Sequence, residues 1–184
     1  MSLFTSKRER RLWLWTLAVM LAIYSTLSIA SEIAAFLQNL GILDEVFILG
    51  MLMIAAAVVA LALKTRPGGV EIGVGLGVAA AYMIALLRMG VTAERTHLME
   101  YSVVAVLVYE ALKERARNGG KVLQPALLAL VITVFLGWLD EGIQWSLPNR
   151  VYDIRDVVFN TLAAVMAISA SVLLAWVRRR WGRS

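Results

Sequence analysis

Residues 157–177, VVFNTLAAVMAISASVLLAWV, decide the fold: the run carries no charged residue and is followed at once by Arg178, Arg179 and Arg180. A hydrocarbon core of roughly 30 Å takes about 20 helical residues to cross, so this stretch reads as a transmembrane helix with a basic stop at its end. Five further spans are expected at about 12–31, 46–63, 70–88, 97–113 and 121–139. The composition agrees: 60% of the chain is apolar, 17% is charged, and the mean hydropathy is +0.76. Most of this surface is not made for water. The 184 residues leave room for six spans and short loops, hence one all-α antiparallel bundle with no separate soluble domain. The first run, from Leu12, is long and lacks a small-residue cleavage site, so it is expected to stay as a span.

Basic residues set the expected topology. The breaks Lys64-Thr65-Arg66-Pro67-Gly68-Gly69 and Lys113-Glu114-Arg115-Ala116-Arg117-Asn118-Gly119-Gly120-Lys121 are strongly basic, as are both ends of the chain. The positive-inside rule puts these in the cytoplasm and leaves only Arg88, Arg95, Arg150 and Arg155 outside, with most of the acids. Both termini are then cytoplasmic. The net charge of +5 is explained by topology and anionic lipid, and no basic face points to nucleic acid. Trp13, Trp15, Trp176 and Trp181 read as an inner aromatic belt, and Trp138 and Trp145 lie at the outer boundary. Gly73, Gly75 and Gly77 read as close helix packing; no strand precedes them as a nucleotide loop requires.

Two stretches break the apolar pattern: Glu94-Arg95-Thr96-His97-Leu98-Met99-Glu100-Tyr101 entering span four, and Asp140-Glu141-Gly142-Ile143-Gln144-Trp145 leaving span five. The second continues through Pro148, Asn149 and Arg150 to Asp153, Arg155, Asp156 and Asn160. Helical spacing puts His97, Glu100 and Tyr101 on one face, pairs Glu141 with Gln144, and aligns Asp153, Asp156 and Asn160. Three polar faces are therefore expected at one membrane depth. Some of these residues are ordinary caps and loop charges, with Asp153 or Asp156 capping span six. Glu100 and Asn160, about one turn inside their spans, are expected to face the bundle interior, because an unpaired charge or amide in lipid is costly.

The pattern Glu94-Arg95-x-His97-x-x-Glu100-Tyr101, then Asp140-Glu141-x-x-Gln144, then Pro148-x-Arg150, Asp153, Asp156 and Asn160, resembles the VanZ-like family. The resemblance covers the second half of the chain; the first three spans match only as hydrophobic helices. That family takes its name from teicoplanin resistance, so the resemblance implies a role in the cell envelope. Where the family pattern has a glycine soon after the asparagine, this chain has Ala163 and Ala164, a departure that bears on packing.

The residue inventory limits the chemistry. Without cysteine there are no disulfides, thiolate nucleophiles or sulfur ligands, and redox chemistry is not expected. A single histidine makes zinc a weak expectation, and no metal or cofactor is assigned, although an oxygen-only magnesium or calcium site from Asp140, Glu141 and Asp156 stays open. No serine stands in a nucleophile context. Carboxylates remain as the main reagents. Mutual repulsion and burial separate their pKa values, while Arg95 and Arg150 hold one ionised, which gives an acid and a base. The leading expectation is a membrane-embedded glycoside hydrolase acting on a glycolipid or lipid-linked sugar in the outer leaflet. Glu141 is then acid/base and Asp156 nucleophile, with Glu100 or Asp140 as substitutes. Glu94, Arg95, His97, Tyr101, Gln144, Trp145, Arg150, Asp153 and Asn160 contact substrate. Retaining or inverting stereochemistry is left open. The alternatives are a non-catalytic envelope protein binding a lipid-linked wall precursor or lipoglycopeptide, a metal-dependent lipid phosphoryl-transfer enzyme, and charges that merely lock three helices together.

Overall fold

The computed structural model describes residues 3–89, 92–147 and 153–181, with the side chains of 28, 30, 31, 57, 58, 61–63 and 92–94 set aside. These residues form α1 (Lys7–Asn39), α2 (Leu43–Thr65), α3 (Gly69–Arg88), α4 (Thr92–Arg117), α5 (Pro125–Trp145) and α6 (Ile154–Trp181), and no strand occurs among them. The helix boundaries follow local chemistry. Ser6 caps α1 by accepting from the Glu9 amide at 3.0 Å. α1 and α4 both end where a glycine takes the left-handed backbone that a side chain resists, Gly41 at φ 71° and Gly119 at φ 81°. After α4, the Gly120 amide reaches back 2.9 Å to the Arg115 carbonyl and so satisfies an orphan acceptor of the last turn. Pro125 opens α5, where its missing N–H costs nothing.

Helices α4, α5 and α6 pack on one another, α1 lies chiefly along α4, and α3 lies against α6. The principal core joins Met20 and Ile23 of α1 to Val104, Ala105, Val108 and Leu112 of α4, Ala129 of α5, and Ala164, Ala167 and Ile168 of α6. A second cluster gathers Leu86, Met89, Leu98, Tyr101 and Ala163, with Phe47 and Met51 of α2 at its edge. Ala163 and Ala164, where the family pattern favours glycine, are fully buried in these contacts. Outward-facing positions such as Leu76, Leu87, Val131, Phe135 and Leu173 are large, apolar and exposed, the surface of a protein whose solvent is lipid.

Several expectations change. Among the described residues three helices are long and apolar enough to cross a membrane, α3, α5 and α6; α1 makes a fourth if its bent segments Lys7–Leu27 and Glu32–Asn39 count as one. α4 falls short because it carries Glu100, Glu110, Lys113, Glu114, Arg115 and Arg117. It is also the most enclosed helix, and a helix wrapped by protein need not be apolar all round. α5 runs to Trp145, past the expected span end at 139, so Asp140, Glu141 and Gln144 are its last turns, on the helical spacing expected of Glu141 and Gln144. A Cβ at Gly73, Gly75 or Gly77 would meet nothing within 4 Å, so the glycines of α3 do not mark a close helix contact. Close contact occurs instead at Gly137.

Candidate functional site

Small residues prepare the site. Ala129, Thr133 and Gly137 recur every four positions along the buried face of α5, and Asp140, Glu141 and Gln144 continue that face to the end of the helix. A Cβ on Gly137 would lie 2.9 Å from Asn160 Cβ and 3.1 Å from its Nδ2, so only glycine lets α5 and α6 approach this closely. The contact buries Asn160 completely and sets Asp156, one turn earlier on α6, beside the last turns of α5.

Three helices then supply one polar cluster. From α4, His97 turns Nδ1 toward Asp140 Oδ2, at 3.9 Å, and Nε2 toward Asp156 Oδ2, at 3.7 Å. Tyr101, one turn on, lies in the same stack as His97, and its hydroxyl donates to Asp140 Oδ2 at 3.0 Å. Glu141 accepts from Gln144 Nε2 at 3.1 Å and from the Asp153 amide at 3.3 Å. His97, Tyr101, Asp140, Glu141, Gln144 and Asn160 are all buried, whereas the Asp156 side chain keeps 19% exposure and forms the accessible edge. Among the described residues, His97 Nδ1, Thr133 Oγ1 and both amide atoms of Asn160 are buried without a hydrogen-bond partner. Buried polar atoms normally find a partner, so these groups keep hydrogen-bonding capacity that a polar ligand could use. One donor atom each from His97, Glu141 and Asp156 lies within 4.8 Å of the other two, a spacing that suits a metal ion.

The remaining expected residues divide. Asp153 is the cap of α6: its Oδ1 accepts from the Arg155 amide at 2.9 Å, and its backbone alone touches Glu141. Arg95 turns away from the carboxylates, donating to the Met89 carbonyl at 3.1 and 3.3 Å and lying over the Phe47 ring. It makes no ion pair with the cluster among the described residues, so it is not the counter-charge expected of it. Trp145, expected to contact substrate, is 77% exposed and faces outward. Glu100 is half-buried on α4. Arg150 and the side chain of Glu94 lie outside the described residues. Two participants were not expected. Tyr24 of α1 donates to the Leu136 carbonyl at 3.1 Å, an acceptor that Tyr101 also reaches at 3.3 Å. Gly137 was legible in principle from the four-residue repeat of small side chains; nothing in the sequence around Tyr24 singles it out.

Comparison with known proteins places the chain. The VanZ/LLP1 family model matches residues 2–176, essentially its whole length. No curated protein and no solved structure matches it.

Proposed function

We propose, from the premise that this chain belongs to the VanZ/LLP1 family, that it is a membrane protein of the cell envelope that binds the head group of a lipid-linked wall precursor or a lipoglycopeptide. One observation carries the reading: five polar side chains, His97, Asp140, Glu141, Gln144 and Asn160, are withdrawn from solvent together at one end of an otherwise apolar bundle. Helix packing alone does not require so many, and intramembrane polar groups of this kind usually serve a ligand. The asymmetry of basic residues supports six spans with both termini cytoplasmic, which would open the cluster to the outer leaflet. Apolar grooves lie elsewhere on the described surface. One runs between α3, α4 and α6 past Tyr82, Ser102, Val106 and Leu174, suited to a hydrocarbon tail.

Glycoside hydrolysis, the leading expectation from the residue inventory, has less support. It needs two carboxylates flanking a sugar, either about 5–5.5 Å apart or farther with water between. Here Glu141 and Asp156 converge on His97, and both Glu141 oxygens already accept protein hydrogen bonds. The test is native mass spectrometry of the purified protein with glycolipids and polyprenyl-linked sugars. Stoichiometric binding of one of them without released sugar is expected; turnover would restore the hydrolase reading, and no binding at all would remove both.

A further inference from the structure

We propose that His97, Glu141 and Asp156 bind one divalent cation of the zinc class, with Asp140 and Tyr101 supporting the histidine from behind. The three residues come from α4, α5 and α6, and their donor atoms already lie within 4.8 Å of one another. Zinc bonds of roughly 2.0–2.2 Å place neighbouring ligand atoms about 3.5 Å apart, so the Nε2 to Oδ2 distance of 3.7 Å is near closure and small side-chain rotations complete the set. Three protein ligands leave a fourth position open.

Two further observations point the same way. A metal-bound histidine characteristically offers its other ring nitrogen to a carboxylate that is itself held in place. His97 Nδ1 faces Asp140 Oδ2, and the Tyr101 hydroxyl donates to that same oxygen. At 3.9 Å, His97 Nδ1 needs only a small ring movement to donate to Asp140, and both Asn160 amide atoms are buried without a hydrogen-bond partner among the described residues. Asn160 lies one turn deeper than Asp156 on the same face of α6, with its amide against Gly137, itself one turn from Glu141. A metal-bound water or a ligand oxygen would give that amide the partner it lacks. The donor set chooses among cations: imidazole with carboxylates suits zinc, cobalt or manganese, whereas magnesium and calcium favour oxygen alone. The open position would take an oxyanion of the head group, a phosphate or carboxylate oxygen; this last step rests on the binding function proposed above, and the metal site does not.

The test uses the full chain in lipid nanodiscs, stripped with chelator and then given zinc chloride. One zinc per chain by elemental mass spectrometry, a zinc-dependent rise in Tm, and visible d–d bands on substituting cobalt(II) are expected. His97→Gln and Asp156→Asn should each abolish the cobalt bands, and Asp140→Asn should weaken zinc by about tenfold to a hundredfold, as loss of an outer support does. Should a variant fail to fold, the wild-type stoichiometry and cobalt spectrum still decide. Absence of retained zinc, unchanged uptake in both folded ligand variants, or a Tm rise with magnesium or calcium but not zinc overturns the proposal. Zinc uptake without head-group binding leaves the metal site standing and removes the function above; head-group binding with no zinc uptake does the reverse.

Discussion

The two ends of the bundle are both rich in ionisable groups, and they use them differently. At the basic end, carboxylates meet cations. Glu9 pairs with Arg115 at 3.2 Å, Arg8 reaches Glu110 and Glu114 at 3.3 and 3.5 Å, and Glu71 pairs with Arg178 at 2.7 Å. Ser6 adds a hydrogen bond to Glu114 at 2.9 Å, so the start of α1 is tied to the end of α4. Thr5 donates twice to Glu9, and the buried Glu9 carboxylate stays below the ordinary carboxylate range because these hydrogen bonds and Arg115 outweigh the burial that would raise it. At the other end Glu141 is buried against an amide side chain and a backbone N–H, and its neighbours include His97 and Asp156. The first arrangement is complete in itself. The second leaves polar atoms of His97 and Asn160 without a hydrogen-bond partner among the described residues, and the proposed binding role rests on that difference.

The largest effect should come from Glu141→Gln, which keeps shape and removes charge. Head-group binding measured by calorimetry in nanodiscs should weaken by about a hundredfold, the scale of losing one partner of a buried charged contact, while Tm holds or rises. A fall in Tm with unchanged binding would make this end a clasp as well. Next, Gly137→Leu should destabilise the fold by about 1–3 kcal/mol, since its side chain has no space against Asn160, and should abolish binding with it.

At the basic end Glu9→Ala should cost about 1 kcal/mol by removing the acceptor of two Thr5 hydrogen bonds and leave ligand affinity unchanged. The same contacts carry a pH signature. Glu9 and Glu114 both titrate below their ordinary value, Glu114 chiefly because Ser6 donates to it. Folded values below unfolded ones mean that the stabilisation is present above the unfolded value of about 4.3 and is lost as pH falls through the lower folded values. Hydrogen exchange at residues 3–12 should accelerate in that window. The smallest effect is expected from Arg8→Ala, below about 0.5 kcal/mol by thermal unfolding, because the arginine is half-exposed and its ion pairs are screened.

Much of this was legible in the chain. The expected span 70–88 is α3 at Gly69–Arg88 almost to the residue, because a basic glycine-rich break precedes it and Arg88 ends it. Helical spacing correctly put His97 with Tyr101 and Glu141 with Gln144, since neighbours on one helix face are a property of local sequence. What the spacing could not supply was the meeting of different helices. That His97 reaches Asp156 rather than lipid depends on α4 packing against both α5 and α6, and Arg95 was misjudged because the Met89 carbonyl and Phe47 ring that hold it are tertiary neighbours. The glycines of α3 made a louder pattern than Gly137, yet the one that matters is the one facing another helix.

Gly137 has a consequence beyond packing. By letting α5 and α6 close over most of the polar atoms it limits bulk water around them, and charges interact about four times more strongly at an effective dielectric near 20 than in bulk water. His97, Glu141 and Asp156 therefore share one local field. Any charge that enters this field acts on three helices at once, so the spacing of the helices and the charge held between them are a single mechanical variable.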